Sequence, residues 1–438
     1  MKYFRSFFTT VFLFIPLHVF AIPITEHTLG NGLKILIIEE HKAPAATFQV
    51  WYRVGLKEEP AGKSGLSHFL EHMMFKGTPQ HSPKMFSKAV QENGGEDNAY
   101  TTEDYTVFYQ TFPSDKLSFS CLLESDRMQH LLLDQKEISV EREVVKEERR
   151  LENVDNPQNS LLEEVVAMSF KVHPYQRPVI GWMSDLESIG RDDLLGHYKE
   201  FYTPGNAFIV IAGDVKAGDA IESIKNYFGN IPKGPGKREP TSSEPGQPGE
   251  RRIYMKREAV LPYMLAAYHV PCFPHEDSYA LDVLDALLSA GRSSRLYSTL
   301  VYDKKIALDA GSDYSGFRKN PHLFFIDATA SPGMDIKKVE ESLYAEIEKI
   351  GEEQPSAHEL QKAKNRIASS FIMEQDSLET MAELYGVFEM IGDWRLTHTY
   401  LDGIRRVTAG DVSRVAKRYL KEDNRTVGIL LPVRGEEE

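Results

Sequence analysis

His68, Glu71 and His72, in the run HFLEH, bring two imidazoles and a carboxylate together at a spacing suited to metal-assisted hydrolysis. On an α-helix each residue advances about 100°. With His68 at zero, His72 falls at about 40°, Glu71 at about −60° and Phe75 at about −20°. Leu66, Phe69, Leu70 and Met73 fall on the opposite side, at about 100–200°. One face is thus a packing stripe, and the other presents both histidines with the carboxylate. Two histidines one turn apart can share a zinc ion, leaving Glu71 to handle the protons of a bound water. A pattern of five residues needs a third ligand.

The element expected to supply it is the segment 134–152, DQKEISVEREVVKEERRLE, which reads as a helix with Asp134 as its N-cap. With Glu141 at zero, Glu148 lies at about −20°, between Ile138 and Val145 at about 40–60° and Val144 and Leu151 at about −60 to −80°. Both glutamates therefore fall inside the apolar stripe, whereas Glu147 points towards the solvated side. A carboxylate on an apolar face is costly unless it meets a cation or donors. Glu148 is the expected third ligand, and Glu141, two turns earlier, the expected support for a ligating side chain.

The stretches GLSHFLEHMMFKGT (65–78), NAYTTEDYTVFY (98–109) and EREVVKEERR (141–150) together resemble the pitrilysin/insulinase family of zinc metallopeptidases. The likeness is strongest to its bacterial, mitochondrial-processing-peptidase-like branch. H-x-x-E-H is the inverzincin order, and a glutamate helix follows it 76 residues after His72 (148 − 72). The resemblance spans nearly the whole chain beyond its N-terminal segment. It implies one zinc ion per chain, with His68, His72 and Glu148 as ligands, Glu71 as general base and Glu141 as a supporting carboxylate. It also implies that Asn98 and Ala99 lie on an edge strand that pairs with the substrate backbone. Phe75, on the zinc-facing side of its helix, is either the wall of a side-chain pocket or plain packing.

Composition agrees. The 438 residues suffice for two domains with sizeable cores, and a formal net charge of −14 argues against nucleic-acid binding. Cys121 and Cys272 are the only cysteines and form no Cys-x-x-Cys pattern. Packing is the simpler role for them, and a single disulfide stays open. Lys2 and Arg5 precede an apolar run ending at Val19-Phe20-Ala21, which reads as a signal peptide cut after Ala21. The run is short for a bilayer and carries Pro16 and His18, so a stable membrane anchor is not expected. The protein is expected outside the cytoplasm, in the periplasm if the source is Gram-negative.

Organisation follows from one break. Residues 233–250, KGPGKREPTSSEPGQPGE, read as a linker. The expected plan is a signal peptide at 1–21, a zinc-binding domain at 22–232, the linker, and a homologous domain without metal at 251–438. Asp193, Lys199, Phe201 and Asn206 reappear as Asp411, Lys417, Tyr419 and Asn424, at an offset of 218 (411 − 193). Each set sits on a helix leading into an apolar strand, at 207–212 and 426–431. Further strands are expected at 33–38, 46–54, 106–112, 263–270 and 323–330. Helical periodicity fills 117–133, 161–170, 278–289, 337–350 and 357–390. The expected fold is α+β: two homologous halves, each a largely antiparallel sheet covered by helices, facing each other across a cleft.

The second half keeps no metal motif, since Asp282, Asp285 and Ala286 stand where His68, Glu71 and His72 do in the first. Its segment 294–314 departs from the family in another way. Many members place an Arg and a Tyr there to bind substrate and stabilise the transition state; Val301 and Leu308 occupy those positions. Valine and leucine cannot donate to an oxyanion. Either Tyr302, Lys304 or Tyr314 substitutes, or a homologous partner subunit supplies the pair. The second option makes this chain the metal-bearing subunit of a heterodimer acting on peptides or unfolded segments. The rival of a different class is a non-catalytic, peptide-binding or scaffolding member of the same fold. His130, His173 and His275 are isolated and read as surface or structural residues.

Overall fold

Alternating and fully apolar runs form two sheets in the computed structural model, which describes residues 23–83, 85–235 and 243–433. The expected signal peptide, and positions 236–242 of the expected linker, lie outside the described residues. The first sheet contains β1 (Ile24–Thr28), β2 (Lys34–Glu39), β3 (Ala45–Tyr52), β4 (Glu96–Thr101), β5 (Thr106–Pro113) and β6 (Ala207–Gly213), in the order β1-β2-β6-β3-β5-β4. The second contains β7 (Arg251–Glu258), β8 (Tyr263–Val270), β9 (Ala307–Tyr314), β10 (His322–Ala330) and β11 (Arg425–Val433), in the order β7-β11-β8-β10-β9. Each sheet has one parallel pair, β2–β6 or β7–β11, and is otherwise antiparallel. Mixed helices and sheets in two sheet-bearing halves are what the sequence led us to expect. β1, β7 and β9 are strands that its periodicity did not reveal.

The halves repeat each other closely. Setting β1 aside, the two strand orders coincide position by position, with β4 and β9 at equivalent edges. Ala45–Tyr52 and Tyr263–Val270 differ by 218 (263 − 45), as do the helices Arg191–Phe201 and Ala409–Tyr419 (409 − 191). The faint sequence echo is therefore a structural repeat.

Each half also lends a helix to the other. Helix Pro157–Ser169 packs on β7, β8 and β11, and helix Leu378–Ile391 packs on β3 and β6. Leu161 and Val165 join Leu265, Ala267, Leu323 and Leu430 in one core, while Met381, Ala382 and Tyr385 join Leu36, Trp51 and Phe208 in another. Each leucine, valine, methionine or phenylalanine among them contributes about 1.5–3 kcal/mol when fully buried. A side chain at Gly428 of β11 would collide with Val165 and Leu161, so glycine sets how closely the borrowed helix lies. Helices on both faces explain why β3 and β6 are almost entirely buried. The helical stretch read over 357–390 is two helices, Ala357–Met373 and Leu378–Ile391, because Ser377 accepts from Thr380 N and caps the second. Cys121 and Cys272 are free thiols, one in each half.

Candidate metal centre

The helix Leu66–Met73 begins at Gly65, whose backbone is left-handed at φ 86° and whose missing Cβ makes room for Ile180 O. Glu59, buried, supplies the cap that glycine cannot: its carboxylate accepts from Gly65 N at 2.9 Å and Ser67 N at 2.7 Å. Leu66, Phe69, Leu70 and Met73 are buried as the helical wheel requires. That anchors one face and leaves His68 and His72 half-buried on the other, with Glu71 beside them.

The second element is the helix Gln135–Arg149, capped by Asp134, which accepts from Lys136 N and Glu137 N. A single π-helical turn, Arg150–Val154, follows, so the α-helix ends earlier than its sequence suggests. Only one side of the expected apolar stripe is buried: Ile138 and Val145 are inside, but Val144 and Leu151 are 46% and 63% exposed. Glu141 lies under this edge with its side chain 7% exposed, whereas that of Glu148 is 31% exposed.

One ligand atom from each of His68, His72 and Glu148 lies within 4.8 Å of the others, and among the described residues no other His/Cys/Asp/Glu group does this. His68 Nε2 is 3.7 Å from Glu148 Oε1, and His72 Nε2 is 3.4 Å from Glu148 Oε2. On its other side, His72 Nδ1 meets Glu141 Oε1 at 2.9 Å, which fixes the ring and leaves Nε2 for a ligand. Lys76 Nζ pairs with the other Glu141 oxygen. Glu71 Oε2 accepts from Thr101 Oγ1 of β4 at 2.6 Å.

Burial, helped by His72 and opposed by Glu148, pushes His68 down to about 4, so the ring is neutral with a free lone pair. Burial also pulls His72 down, but hydrogen bonds with Glu141 and Glu148 outweigh it and push the ring up to about 9. The His72 hydrogen bond holds Glu148 below the usual carboxylate range, and burial is the opposing influence. Burial raises the Glu71 carboxyl, while the Thr101 hydroxyl works against the rise. A carboxyl shifted upward in this way is a better proton carrier near neutral pH than a free glutamate.

Two nitrogens and a carboxylate are a donor set that zinc prefers. His68 Nδ1 is buried and has no protein partner, so this ring, unlike that of His72, is not oriented by a hydrogen bond at its far nitrogen. The residues fit the metal.

Thr101, Lys76 and Glu59 are site residues that sequence reasoning missed. Lys76 follows His72 by four, the spacing of helix neighbours, and Thr101 follows Ala99 by two on one strand face. No local pattern marks Glu59. Asn98 and Ala99 lie on β4, an edge strand whose only neighbour among the described residues is β5. Phe75 packs against Phe86 and Phe108 at ring distances of 5.9 and 6.0 Å, with the Arg127 guanidinium 5.3 Å from its ring centre. Phe75 is partly buried against the first core.

In the second half, Asp285 Oδ1 accepts from Ser312 Oγ of β9 at 2.6 Å, and Asp282 Oδ2 from Tyr400 OH at 3.0 Å. Val301 packs against the second core, and Leu308 is 54% exposed. Tyr314 gives its hydroxyl to Pro271 O at 2.7 Å inside the core, which removes it as a substitute donor. Tyr302 is 73% exposed. His275 and His173 accept from Asp277 N and Tyr175 N as helix caps, and His130 bonds Asp126 at 2.8 Å.

A repeated α+β half-domain with an H-x-x-E-H helix facing a glutamate helix defines the class of inverted-motif metallopeptidases. The family model described as "Insulinase (Peptidase family M16)" matches residues 34–182, and that described as "Peptidase M16 inactive domain" matches 188–367. The chain belongs to peptidase family M16, the insulinase/pitrilysin metalloproteases. It is 31% identical over 409 residues to the zinc protease PqqE of Helicobacter pylori, covering 92% of each chain. It is 25% identical over 430 residues to a probable mitochondrial-processing peptidase subunit beta of Arabidopsis thaliana, covering 95% of this chain and 80% of that one. The crystal structure of a protease from Helicobacter pylori superposes with a TM-score of 0.90 at 31% identity, covering 94% of this chain and 99% of that one.

Proposed function

We propose that this chain is a zinc-dependent endopeptidase that hydrolyses peptides or unfolded segments, with one zinc ion per chain held by His68, His72 and Glu148. The observation that carries this reading is the convergence of those three side chains beside Glu71, itself hydrogen-bonded to an edge strand. When bound, zinc supplies Lewis acidity, lowering the pKa of water and polarising a carbonyl. The chain's own residues do the rest. Glu71 takes the proton of the attacking water at a carboxylate oxygen and passes it to the leaving amine. Thr101 Oγ1 holds the other side of that carboxylate and so fixes the direction of proton transfer. Glu141 orients His72. Substrate backbone adds beside Asn98 and Ala99 on β4, because main-chain pairing tolerates many sequences.

Val301 and Leu308 cannot stabilise an oxyanion, so the reading includes a homologous partner subunit that supplies an Arg and a Tyr. That the Arabidopsis relative is named as a subunit of a processing peptidase is in keeping with that. The protein is exported by cleavage after Ala21, to the periplasm in a Gram-negative cell. Among the described residues no helix is long and apolar enough to cross a membrane.

The test measures bound zinc and peptide cleavage for wild type and Glu71→Gln, each with and without a co-expressed homologous partner. The expected result is zinc in both proteins, with cleavage lost by at least about 10²-fold in Glu71→Gln. Wild type needs the partner for full activity. Zinc without cleavage under every condition leaves the scaffolding reading; full activity of the chain alone removes the heterodimer.

A further inference from the structure

β4 ends at Thr101, and the hairpin turn that follows, residues 102–105, is held by both halves of the chain. Thr102 Oγ1 accepts from Asp104 N at 3.2 Å and Tyr105 N at 3.1 Å, which closes the turn on itself. Leu56 N donates to Thr102 O at 3.2 Å, and Lys57 N to Glu103 O at 2.9 Å. The same stretch, 55–59, steadies the start of the motif helix: Ser67 Oγ donates to Gly55 O at 3.0 Å, and Glu59 is the cap. One short segment thus ties the helix that carries Glu71 to the turn beside Thr101.

The second half supplies the remaining support. Residues 315–321 join β9 to β10, and so stand where the turn 102–105 stands in the first half. These two equivalent hairpin ends meet. Arg318 pairs with Glu103, and Lys319 N donates to Asp104 Oδ2 at 2.9 Å. The other Asp104 oxygen accepts from Lys57 Nζ at 3.1 Å and from Tyr175 OH at 2.6 Å. Asp104 is buried, and its carboxylate draws its donors from three stretches of chain far apart in sequence. Hydrogen bonds to a charged acceptor are among the stronger ones, so they hold the turn tightly. Thr101, at the root of that turn, is the residue whose hydroxyl meets Glu71.

We infer that Asp104 is a positioning residue for the proposed hydrolysis: it fastens the β4–β5 turn to the second half and so fixes where Thr101 holds Glu71. The inference rests on the peptidase reading for the step that Glu71 performs. Asp104 acts through Thr101, and the half without a metal motif thereby takes part in the chemistry. Placement matters because a displacement of about 1 Å in a reacting geometry costs about 10²-fold in rate.

The test uses the full chain with the homologous partner, at saturating zinc. Peptide cleavage is measured for wild type, Asp104→Asn, Thr101→Val and the double variant. An amide cannot accept at both of the positions where the Asp104 carboxylate does. Asp104→Asn is expected to lower kcat about tenfold, with KM and zinc content at their wild-type values. In the Thr101→Val background the same change is expected to cost less than about twofold, because its route to Glu71 is already cut. An equal fractional loss in both backgrounds, or a loss carried by KM or zinc, overturns the inference. Lys319→Pro removes the donor N–H and Lys319→Ala keeps it, so a lower kcat in the proline variant is expected. Equal values for that pair overturn the inference, and the pair decides even where Asp104→Asn does not fold. Hydrogen exchange over residues 96–106 is followed in parallel and is expected to be faster in Asp104→Asn and Lys319→Pro than in wild type; unchanged exchange overturns the clamp. Absence of cleavage in every protein, wild type included, sinks the peptidase reading, and the exchange rates still decide whether the second half holds the turn.

Discussion

Thr101 Oγ1 donates to Glu71 Oε2 at 2.6 Å, tying the outermost strand of the first sheet to the helix that carries the metal motif. The second half repeats the contact at the equivalent edge, where Ser312 Oγ of β9 donates to Asp285 Oδ1, also at 2.6 Å. A hydroxyl on the edge strand holding a carboxylate on the facing helix is thus a property of the repeated fold. Only in the first half does the carboxylate sit beside two histidines.

Removing that hydroxyl separates proton handling from metal holding. Thr101→Val keeps the shape of the side chain and leaves His68, His72 and Glu148 untouched. A hydrogen bond to a charged group is worth about 1.5–3 kcal/mol, so kcat is expected to fall by about one order of magnitude or more. Zinc content, measured by atomic absorption, stays at the wild-type value. A matching loss of zinc would show that Thr101 acts on the ligands instead.

Glu141 has the opposite profile. It touches His72 and Lys76, so on the proposed reading it acts on the metal only through His72. Glu141→Ala is expected to weaken zinc binding by about 10–100-fold, read by competition with a chelator. At saturating zinc the variant recovers most of its cleavage rate, which a general base would not.

The join between the halves rests on Glu389, whose carboxylate meets Lys34 Nζ at 2.8 Å and Arg53 Nη2 at 3.0 Å. Glu389 belongs to the helix lent to the first sheet, and its side chain is 5% exposed. Taking it away leaves the partly buried Arg53 without a carboxylate and Lys34 with only the Glu26 contact at 3.4 Å, at a cost of up to about 3–5 kcal/mol. Glu389→Ala is therefore expected to lower the denaturant midpoint clearly. A midpoint at the wild-type value would show that apolar contacts alone hold the halves together.

Asp282 gives the fold a pH dependence. Burial pushes its carboxyl from 3.8 up to about 8, so it is neutral in the folded chain at neutral pH but ionised in the unfolded one. Folding then takes up a proton. The stabilisation that comes with the neutral form is complete below pH 3.8 and is lost as pH rises towards 8. Asp282→Asn needs no proton. It is expected to raise the melting temperature at pH 8 and to leave it unchanged at pH 4, read by thermal denaturation at both values. A gain of the same size at both would point to a packing effect.

Legibility differed by kind of information. The helix Leu66–Met73 was readable because its apolar and polar residues fall on opposite faces within eight positions, and β8 was located at its observed ends for the same local reason. β1, β7 and β9 were not. β1, β7 and β9 are all sheet edges, so side-chain alternation is weak where one flank or face meets solvent. The glutamate helix was found, but Val144 and Leu151 were expected inside and are outside. Helical periodicity reports a face and not what covers it.

The chain's own sequence determined the donor types and their spacing, the helices that present them and the repeat of the two halves, because each is written in contacts of short range or in a fixed offset. Glu148 was marked as a ligand by its place on an apolar face, and tertiary structure brings it to His68 and His72. Tertiary structure alone decided that Thr101 holds Glu71, that Glu59 caps the motif helix, and that each half roofs the other with one helix. Those contacts join residues separated by up to some hundreds of positions, and no local pattern encodes which threonine or which helix will arrive. Packing of the apolar faces makes that choice, and the chemistry of the centre follows from it.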